Sequence, residues 1–276
     1  MAEETTLKPS YTLHVYSTRY SSWGARAQLV LEYFQIPHGT KYYNFTNLSP
    51  PAELRILPVL DVTSTPTPAP APGLAAAEEE TLRIHDSLAI CEFLAEQHPD
   101  KHLWPADSRL RASARSAAAA MHSGFAALRD AYPCNFVAHF TGPGVPFNEA
   151  IAKDVSKLLA LWSRTRAATK KRLDVLGEAD EGFLCGGFSI ADAFFWPVLW
   201  RLRTYSVPLT GIDEDALKWM ETMWNHPVMK AQGRDYFRQE RNPETLMAHY
   251  DSVFSDKPDV TRGKFAEDWV FDSTAI

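Results

Sequence analysis

Two short segments carry the residues best suited to hold a small anionic ligand. Residues 57–60 (LPVL) form an apolar strand that opens on a proline, and Asp86 and Ser87 begin an apolar-periodic helix. Pro58 removes one backbone donor. We therefore expect Val59 to offer its N–H and C=O to a ligand rather than to a neighbouring strand of a sheet. Free N–H groups and the positive dipole end at a helix start attract a carboxylate. The alternative for Asp86 and Ser87 is a plain helix cap with an acidic first turn.

A second candidate group is a pair of hydroxyls, Ser21 and Ser22, between the first predicted strand and the first predicted helix. A hydroxyl there points toward Pro58, and free helix N–H groups lower the pKa of a thiol bound beside them. Serine is also a preferred N-cap residue, so we expect one of the two to cap the helix.

The elements around these residues follow the order strand, helix, strand, strand, strand, helix, which is typical of a thioredoxin-like domain. Alternating apolar and polar residues predict the strands, and apolar residues three and four apart predict the helices. The strands are predicted over residues 11–17, 41–45, 57–62 and 81–84, with helices after Ser22 and over 87–98. The first domain is predicted to span residues 1–100.

Residues 63–80 (TSTPTPAPAPGLAAAEEE) form a low-complexity, proline-rich stretch with little to bury in a core. We interpret it as a solvated loop inserted between the third and fourth strands. The alternative is a linker between domains. The insertion is favoured because the ligand-binding unit needs both flanking strands.

From residue 108 onward, the sequence predicts an all-α bundle as a second domain over 108–232. Helices are predicted over residues 108–129, 148–176, 189–205 and 213–225. Ser189 and Asp192 form a capping-box variant at the start of one helix, to which we assign a structural role. Residues 233–276 are predicted to be a C-terminal extension with a short helix and an extended tail.

Composition argues against several classes of protein. The 276 residues are 45% hydrophobic and 22% charged, with a net charge of −6 and no basic block, so nucleic acid binding is not expected. The three cysteines and the scattered histidines fit neither a disulfide framework nor a metal site. No apolar run approaches the roughly 20 residues of a membrane span, and the first ten residues do not resemble a signal peptide. A cytoplasmic protein with no membrane partner is expected.

Together these motifs resemble the cytosolic glutathione S-transferase family, most closely its zeta and omega classes in bacteria and fungi. The resemblance covers residues 11–232 and is carried by YSTRYSSWGAR at 16–26, LP at 57–58, DS at 86–87 and FSIADA at 188–193. It implies a thioredoxin-like domain followed by a helical domain, with glutathione as co-substrate. It also implies that Pro58 is cis and that Val59 pairs with the cysteinyl part of glutathione.

The resemblance also gives roles to the remaining binding residues. Asp86 would take the ammonium of the γ-glutamyl end of glutathione, and Ser87 would take its carboxylate. The family usually has Lys or Gln two residues before the proline, for the glycyl carboxylate, and this chain has Ile56 there. Arg55 is a possible substitute, although its side chain should point to the other face of an extended segment. Leu57 completes the predicted binding segment.

In zeta- and omega-like members, a serine or cysteine five residues before an arginine is catalytic. Counting back from Arg26 gives Ser21 as the first candidate and Ser22 as the second. The hydroxyl would donate a hydrogen bond to the glutathione thiolate. Because serine cannot form a mixed disulfide with glutathione, conjugation or isomerisation is expected rather than disulfide reduction.

The second-substrate pocket would lie between the two domains. Its candidate residues are Arg19, Met121, His122, Phe125 and Arg129. A methionine and aromatic stripe at helical spacing is also typical of a buried core, and that alternative stays open. Arg19 or Arg129 would take the carboxylates of a small unsaturated diacid if the reaction is an isomerisation.

The expected function is a homodimeric glutathione transferase that directs the thiolate at a small electrophile, with a maleylacetoacetate isomerase-like activity as the main variant. The alternative is a transferase fold kept for binding or scaffolding without catalysis. The missing Lys or Gln at Ile56 favours the alternative, and the retained Ser21, Pro58 and Asp86 favour the enzyme.

Overall fold

The computed structural model describes residues 10–44, 48–54, 56–64 and 80–272. Arg55 and all but the ends of the predicted insertion at 63–80 lie outside the described residues. The N-terminal half contains β1 (Ser10–Tyr16), α1 (Ser22–Tyr33), β2 (Gly39–Tyr43), β3 (Val59–Ser64), β4 (Glu80–His85) and α2 (Ser87–Gln97). A short 3-10 helix at Ala52–Leu54 precedes β3.

These four strands form one mixed sheet in the order β2-β1-β3-β4. The pair β1 and β2 is parallel, whereas β3 is antiparallel to both β1 and β4. Leu13 and Val15 of β1 are fully buried against the helical layer. A side chain at Gly24 would bring its Cβ within 2.9 Å of the Val15 side chain, so glycine lets α1 pack closely on β1.

The C-terminal half is mainly helical. It contains α3 (Ser108–Ser123), α4 (Ala126–Ala131), α5 (Glu149–Leu176), α6 (Ile190–Thr204), α7 (Glu214–Asn225), α8 (Pro227–Arg241) and the short α9 (Ala248–Asp251). Helix α6 is central, because nearly all its residues are buried and it packs against both α1 and α3. The predicted order of a thioredoxin-like half followed by a helical half is confirmed.

The structure differs from the sequence prediction in the helical half. The helix predicted over 108–129 is interrupted at Gly124, where a Cβ would lie 2.6 Å from the Ala120 carbonyl oxygen, and Phe125 has a φ of 57°. A two-stranded antiparallel sheet, β5 (Ala138–Thr141) with β6 (Thr261–Lys264), was not predicted. Helix α8 was also not predicted, and the proposed boundary between residues 232 and 233 falls inside it.

Two further expectations can be compared with the described residues. The capping box of Ser189 and Asp192 is present at the start of α6, as predicted. Within the described part of the chain, no helix combines the length and apolar character needed to cross a membrane. The residue bounds of the two domains and of the extension stay predictions.

The pairing of β3 with β4 generates a prediction about the segment between them. The ladder continues to Ser64 opposite Glu80, so the two strands form a hairpin whose ends are already adjacent. Joining Ser64 to Glu80 by a two- to four-residue turn should raise the free energy of unfolding by no more than about 2 kcal/mol, because loop-closure entropy varies slowly with length. Urea denaturation of the shortened and full-length proteins measures this difference. A loss of several kcal/mol would show that residues 65–79 contribute packing.

Candidate functional site

The segment before β3 brings the predicted proline to the end of the sheet. The peptide bond between Leu57 and Pro58 is cis, as the family resemblance implied, and both residues are buried. Val59 is the first residue of β3 and pairs with His14 of β1 on one side and His85 of β4 on the other. The expectation that Val59 stays outside a ladder is therefore wrong, because a central strand has neighbours on both sides. Leu57 lies before the strand, outside this ladder.

Asp86 and Ser87 lie at the N-terminus of α2, beside the β3–β4 pair. Asp86 caps the helix, because its Oδ1 accepts hydrogen bonds from the backbone N–H groups of Leu88 at 2.7 Å and Ala89 at 3.3 Å. Its φ of 75° is unusual for a residue with a side chain and is typical of binding sites. The Asp86 side chain is 50% exposed, and its Oδ2 lies 3.3 Å from His122 Nε2.

Ser87 differs from an ordinary helix residue in its hydrogen bonding. The residue is 1% exposed, and its hydroxyl oxygen has no hydrogen-bond partner among the described residues. A buried hydroxyl without a partner is costly and rare in folded proteins. The first turn of α2 therefore presents an unpaired hydroxyl next to a partly exposed carboxylate.

The two candidate catalytic serines have different environments. Ser21 is the N-cap of α1, is partly exposed, and accepts a long hydrogen bond of 3.4 Å from the backbone N–H of Gly24. Ser22 is buried in the first turn, and its hydroxyl accepts a hydrogen bond from Arg201 Nη2 at 3.3 Å. The prediction that one serine caps the helix is confirmed for Ser21.

Trp23 connects the start of α1 to the helical half. Its ring is contacted edge-on by His122, with the ring centroids 5.2 Å apart. The guanidinium carbons of Arg26 and Arg129 lie 4.2 Å and 5.4 Å from the centroid of the same ring. Burial and the nearby Arg201 lower the pKa of Arg129. These contacts make a cationic and aromatic wall where the two halves meet.

Two other predicted pocket residues belong to the core or its edge. Met121 has no exposed surface and packs in the main hydrophobic cluster, so the structure corrects its assignment as a pocket residue. Phe125 is partly buried against the same cluster and begins α4. Met121 continues the regular buried face of α3, which packs against α6.

Arg19 is buried and is held by the C-terminal extension. Its Nη2 lies 3.4 Å from Asp251 Oδ2 and also contacts the Tyr20 hydroxyl. The Tyr20 hydroxyl donates to the same carboxylate at 2.7 Å, and Asn135 Nδ2 donates to Asp251 Oδ1 at 2.7 Å. Asp251 therefore gathers donors from the loop between β1 and α1 and from the helical half.

Sequence reasoning did not identify Trp23, Arg201 or Asp251. Trp23 directly follows the candidate serines, so its position next to them was a usable signal. Arg201 lies in an apolar helix, where a cation without a neighbouring acid marks an unusual environment. Asp251 lies in a polar segment and gives no signal, because its partner Arg19 is 232 positions away.

Within the described residues, no group of histidine, cysteine, aspartate and glutamate is arranged to hold a metal ion. Cys91, Cys134 and Cys185 are all buried and unpaired in disulfides. Burial raises the pKa of the Cys185 thiol to about 12, which disfavours its reactive thiolate form.

Comparison with known proteins identifies the class of fold. Residues 111–222 match the family model of the glutathione S-transferase C-terminal domain. No curated protein matches the sequence of the chain. The predicted resemblance to glutathione transferases is confirmed by this match and by solved structures with the same fold.

Three solved structures illustrate this likeness. A glutathione transferase homolog from Burkholderia GL BGR1 with bound glutathione is 21% identical, with a TM-score of 0.54 over 85% of this chain and 100% of that chain. Glutathione transferase Omega 2C from Trametes versicolor is 19% identical, with a TM-score of 0.58 over 90% and 100%. Maleylacetoacetate isomerase from Anaeromyxobacter dehalogenans 2CP-1 with bound glutathione is 19% identical, with a TM-score of 0.51 over 87% and 100%. At these identities the likeness establishes the fold.

The contacts of Asp251 generate a stability prediction. Asp251→Asn should lower the free energy of unfolding by about 1–3 kcal/mol, because buried Arg19 loses its charged partner and one acceptor is replaced by a donor. Urea denaturation measures the change. Asp256→Asn, at an exposed acid in the same segment, is the matched control and should have little effect. Equal stability of the two variants would mean that Asp251 does not anchor the extension.

Proposed function

We propose that this protein binds glutathione and activates its thiolate for attack on a small electrophile. The observation that carries the proposal is the buried, unpaired hydroxyl of Ser87 beside the half-exposed carboxylate of Asp86 at the start of α2. A hydroxyl and free helix N–H groups suit a carboxylate, and Asp86 suits an ammonium. The γ-glutamyl end of glutathione has both groups on one carbon atom. The bound glutathione in the Burkholderia homolog supports this interpretation.

The glycyl end of glutathione is held less well in this proposal. Ile56 is 77% exposed and has no hydrogen-bond donor in its side chain. Arg55 is the proposed substitute and lies outside the described residues. We therefore expect the γ-glutamyl end to contribute most of the binding free energy.

Ser21 is the proposed donor to the glutathione thiolate. Among the described residues, its oxygen accepts a single long hydrogen bond, from Gly24, which leaves its O–H available to donate outward. Ser22 is buried and already accepts from Arg201, so its hydroxyl is directed into the protein. A donor held in place before the reaction stabilises an anion without reorganisation, which is worth about 2–4 kcal/mol at other enzyme sites.

The second substrate would lie against the wall formed by Trp23, His122 and Arg129. Arg129 is the favoured partner for a substrate carboxylate, because Arg19 is already paired with Asp251. An unsaturated diacid that isomerises through a glutathione adduct fits this arrangement. The fold shared with maleylacetoacetate isomerase is consistent with such a reaction. Conjugation of a neutral electrophile would use the same thiolate without Arg129.

A non-catalytic binding or scaffolding role is the second candidate, and the exposed Ile56 favours it. Glutathione affinity separates the two, because retention on immobilised glutathione and release by the free tripeptide require the proposed site.

We also propose a homodimer in the cytoplasm. Three buried cysteines without a disulfide fit a reducing compartment.

The thiolate role of Ser21 predicts a specific kinetic result. Ser21→Ala should reduce turnover about 100-fold while glutathione affinity changes little, because the donor acts on the thiolate. The pKa of bound glutathione, followed by thiolate ultraviolet absorbance, should rise in the same variant. Ser22→Ala is the matched comparison and should keep both values near those of the wild type. If turnover falls strongly in Ser22→Ala and stays normal in Ser21→Ala, Ser22 is the thiolate donor. If turnover is normal in both variants, neither serine is the donor.

The ammonium role of Asp86 predicts a change in affinity. Asp86→Asn keeps a good N-cap but removes the charge, so glutathione binding should weaken by about 1–3 kcal/mol in calorimetry. Asp107→Asn makes the same change at the N-cap of α3 and should leave affinity unchanged. Ser87→Ala should weaken binding by a similar amount. Unchanged affinity in both Asp86→Asn and Ser87→Ala would rule out the proposed γ-glutamyl site.

A further inference from the structure

Residues 17–20 form the loop between β1 and α1 and end directly before Ser21. All four residues are buried, with exposed fractions between 0% and 4%. Two consecutive turns shape the loop, because Tyr20 N–H donates to the Ser17 carbonyl oxygen at 3.0 Å and Ser21 N–H donates to the Thr18 carbonyl oxygen at 3.3 Å. The backbone position of Ser21 therefore depends on the position of Thr18. We refer to residues 17–20 as the serine loop.

The side chain of Ser21 is itself weakly held. It is partly exposed, and the hydrogen bond that it accepts from Gly24 is long, at 3.4 Å. A donor stabilises an anion well when it is already in place before the reaction. A shift of about 1 Å in a reacting geometry can cost about 100-fold in rate. If Ser21 donates to the glutathione thiolate, the serine loop must therefore hold it in position.

Gln239 of α8 binds the serine loop at two points. Its Oε1 accepts a hydrogen bond from the backbone N–H of Arg19 at 3.2 Å, and its Nε2 donates to the Thr18 hydroxyl oxygen at 3.0 Å. Gln239 is buried, and its Nε2 also donates to Asp235 Oδ2 at 2.8 Å. Because a carboxylate accepts and does not donate, this last contact fixes which end of the amide faces Thr18. One side chain thus joins α8 to the residue that bonds to the backbone of Ser21.

The other residues of the serine loop also hydrogen-bond to the helical half. Their partners there are Thr245, Phe136 and Asp251. Gln239 adds the contact to Thr18, whose carbonyl oxygen accepts from Ser21 N–H. The helical half is therefore in contact with every residue of the loop that carries the candidate thiolate donor.

We propose that Gln239 is a positioning residue for the thiolate reaction, because it fixes the serine loop so that the Ser21 hydroxyl meets the glutathione sulfur. In this proposal Gln239 touches neither glutathione nor the electrophile, and it acts through Thr18 and Ser21. The inference rests on the proposed function, since Gln239 has this role only if Ser21 is the thiolate donor. It also assigns part of the geometry of the reaction to α8, a helix that was not predicted from the sequence.

The first test is Gln239→Leu, which removes both hydrogen bonds to the serine loop and keeps a side chain of similar size. The pKa of the glutathione thiol bound to this variant, measured by thiolate ultraviolet absorbance, should rise. Turnover with the neutral electrophile 1-chloro-2,4-dinitrobenzene should fall about tenfold, because the donor is displaced and not removed. Glutathione affinity in calorimetry should stay near that of the wild type, because Asp86 and Ser87 are unchanged. The thiol pKa needs no electrophile, so it gives the comparison independently.

A double-mutant cycle separates positioning from a general loss of structure. If Gln239 acts through Ser21, Gln239→Leu should lower turnover about tenfold in the wild type and less than about twofold in Ser21→Ala. Independent effects would multiply, and that result would overturn the proposal. Thr18→Val removes the hydroxyl bonded to Gln239 and keeps the branched shape. It should shift the thiol pKa and turnover in the same direction, and it provides the test if Gln239→Leu does not fold.

The matched control is Gln232→Leu, at a buried glutamine of the same helix. The Gln232 amide oxygen accepts from Trp196 Nε1 and from the Tyr236 hydroxyl, at 3.0 Å each, so this change also removes two buried hydrogen bonds. Thermal unfolding should show a similar loss of stability in Gln232→Leu and Gln239→Leu. The thiol pKa and turnover of Gln232→Leu should equal those of the wild type. Equal losses of turnover in the two variants would overturn the proposal, by showing that Gln239 acts through stability.

The same experiments separate this inference from the proposed function. If Ser21→Ala is impaired while Gln239→Leu and Thr18→Val are both folded and normal, the inference is wrong and the proposed function stands. If the wild type binds glutathione without lowering its thiol pKa, or if Ser21→Ala is normal, the thiolate role of Ser21 is wrong and the role of Gln239 is wrong with it. Circular dichroism checks the fold of each variant.

Discussion

The buried carboxylate of Asp192 is the interaction on which the position of α6 within the helical half depends. It accepts hydrogen bonds from the backbone N–H groups of Leu184 at 2.8 Å and Ser189 at 2.9 Å, and from Trp219 Nε1 at 2.9 Å. Burial raises the pKa of Asp192, and these donors oppose that increase by favouring the ionised form. Because the donors come from the preceding loop and from α7, one side chain fixes both the start of α6 and its contact with α7.

The position of α6 in turn fixes the first turn of α1. Arg26 Nε donates to the Phe194 carbonyl oxygen at 3.1 Å, and Arg201 donates to the Ser22 hydroxyl. These bonds run from one half of the chain to the other and involve buried groups, whose loss leaves polar atoms unsatisfied. The orientation of Ser21 at the α1 N-terminus therefore follows from packing that begins more than 160 residues later in the sequence.

The sequence was sufficient to predict features that depend on a few neighbouring residues. The caps at Ser21, Asp86 and Ser189 were predictable because an N-cap bonds to N–H groups two or three positions away. The pairing of β5 with β6 joins segments about 120 residues apart, so local pattern carries no information about it. Met121 shows a related limit. A helical stripe predicts a buried face, but it does not say whether that face meets a pocket or, as here, the core around α6.

Three arginines that join different parts of this fold are held by neutral groups. Arg26, Arg201 and Arg203 donate to the carbonyl oxygens of Phe194, Tyr132 and Phe136, respectively. A carbonyl oxygen satisfies an N–H group but leaves the positive charge uncompensated. Arg201 and Arg203 are two residues apart on α6, a rotation of about 200° around the helix axis, so they face opposite sides. One helix therefore places one guanidinium against Ser22 of α1 and a second against the Phe136 carbonyl oxygen, so α6 ties the start of α1 and the segment before β5 to the same core element.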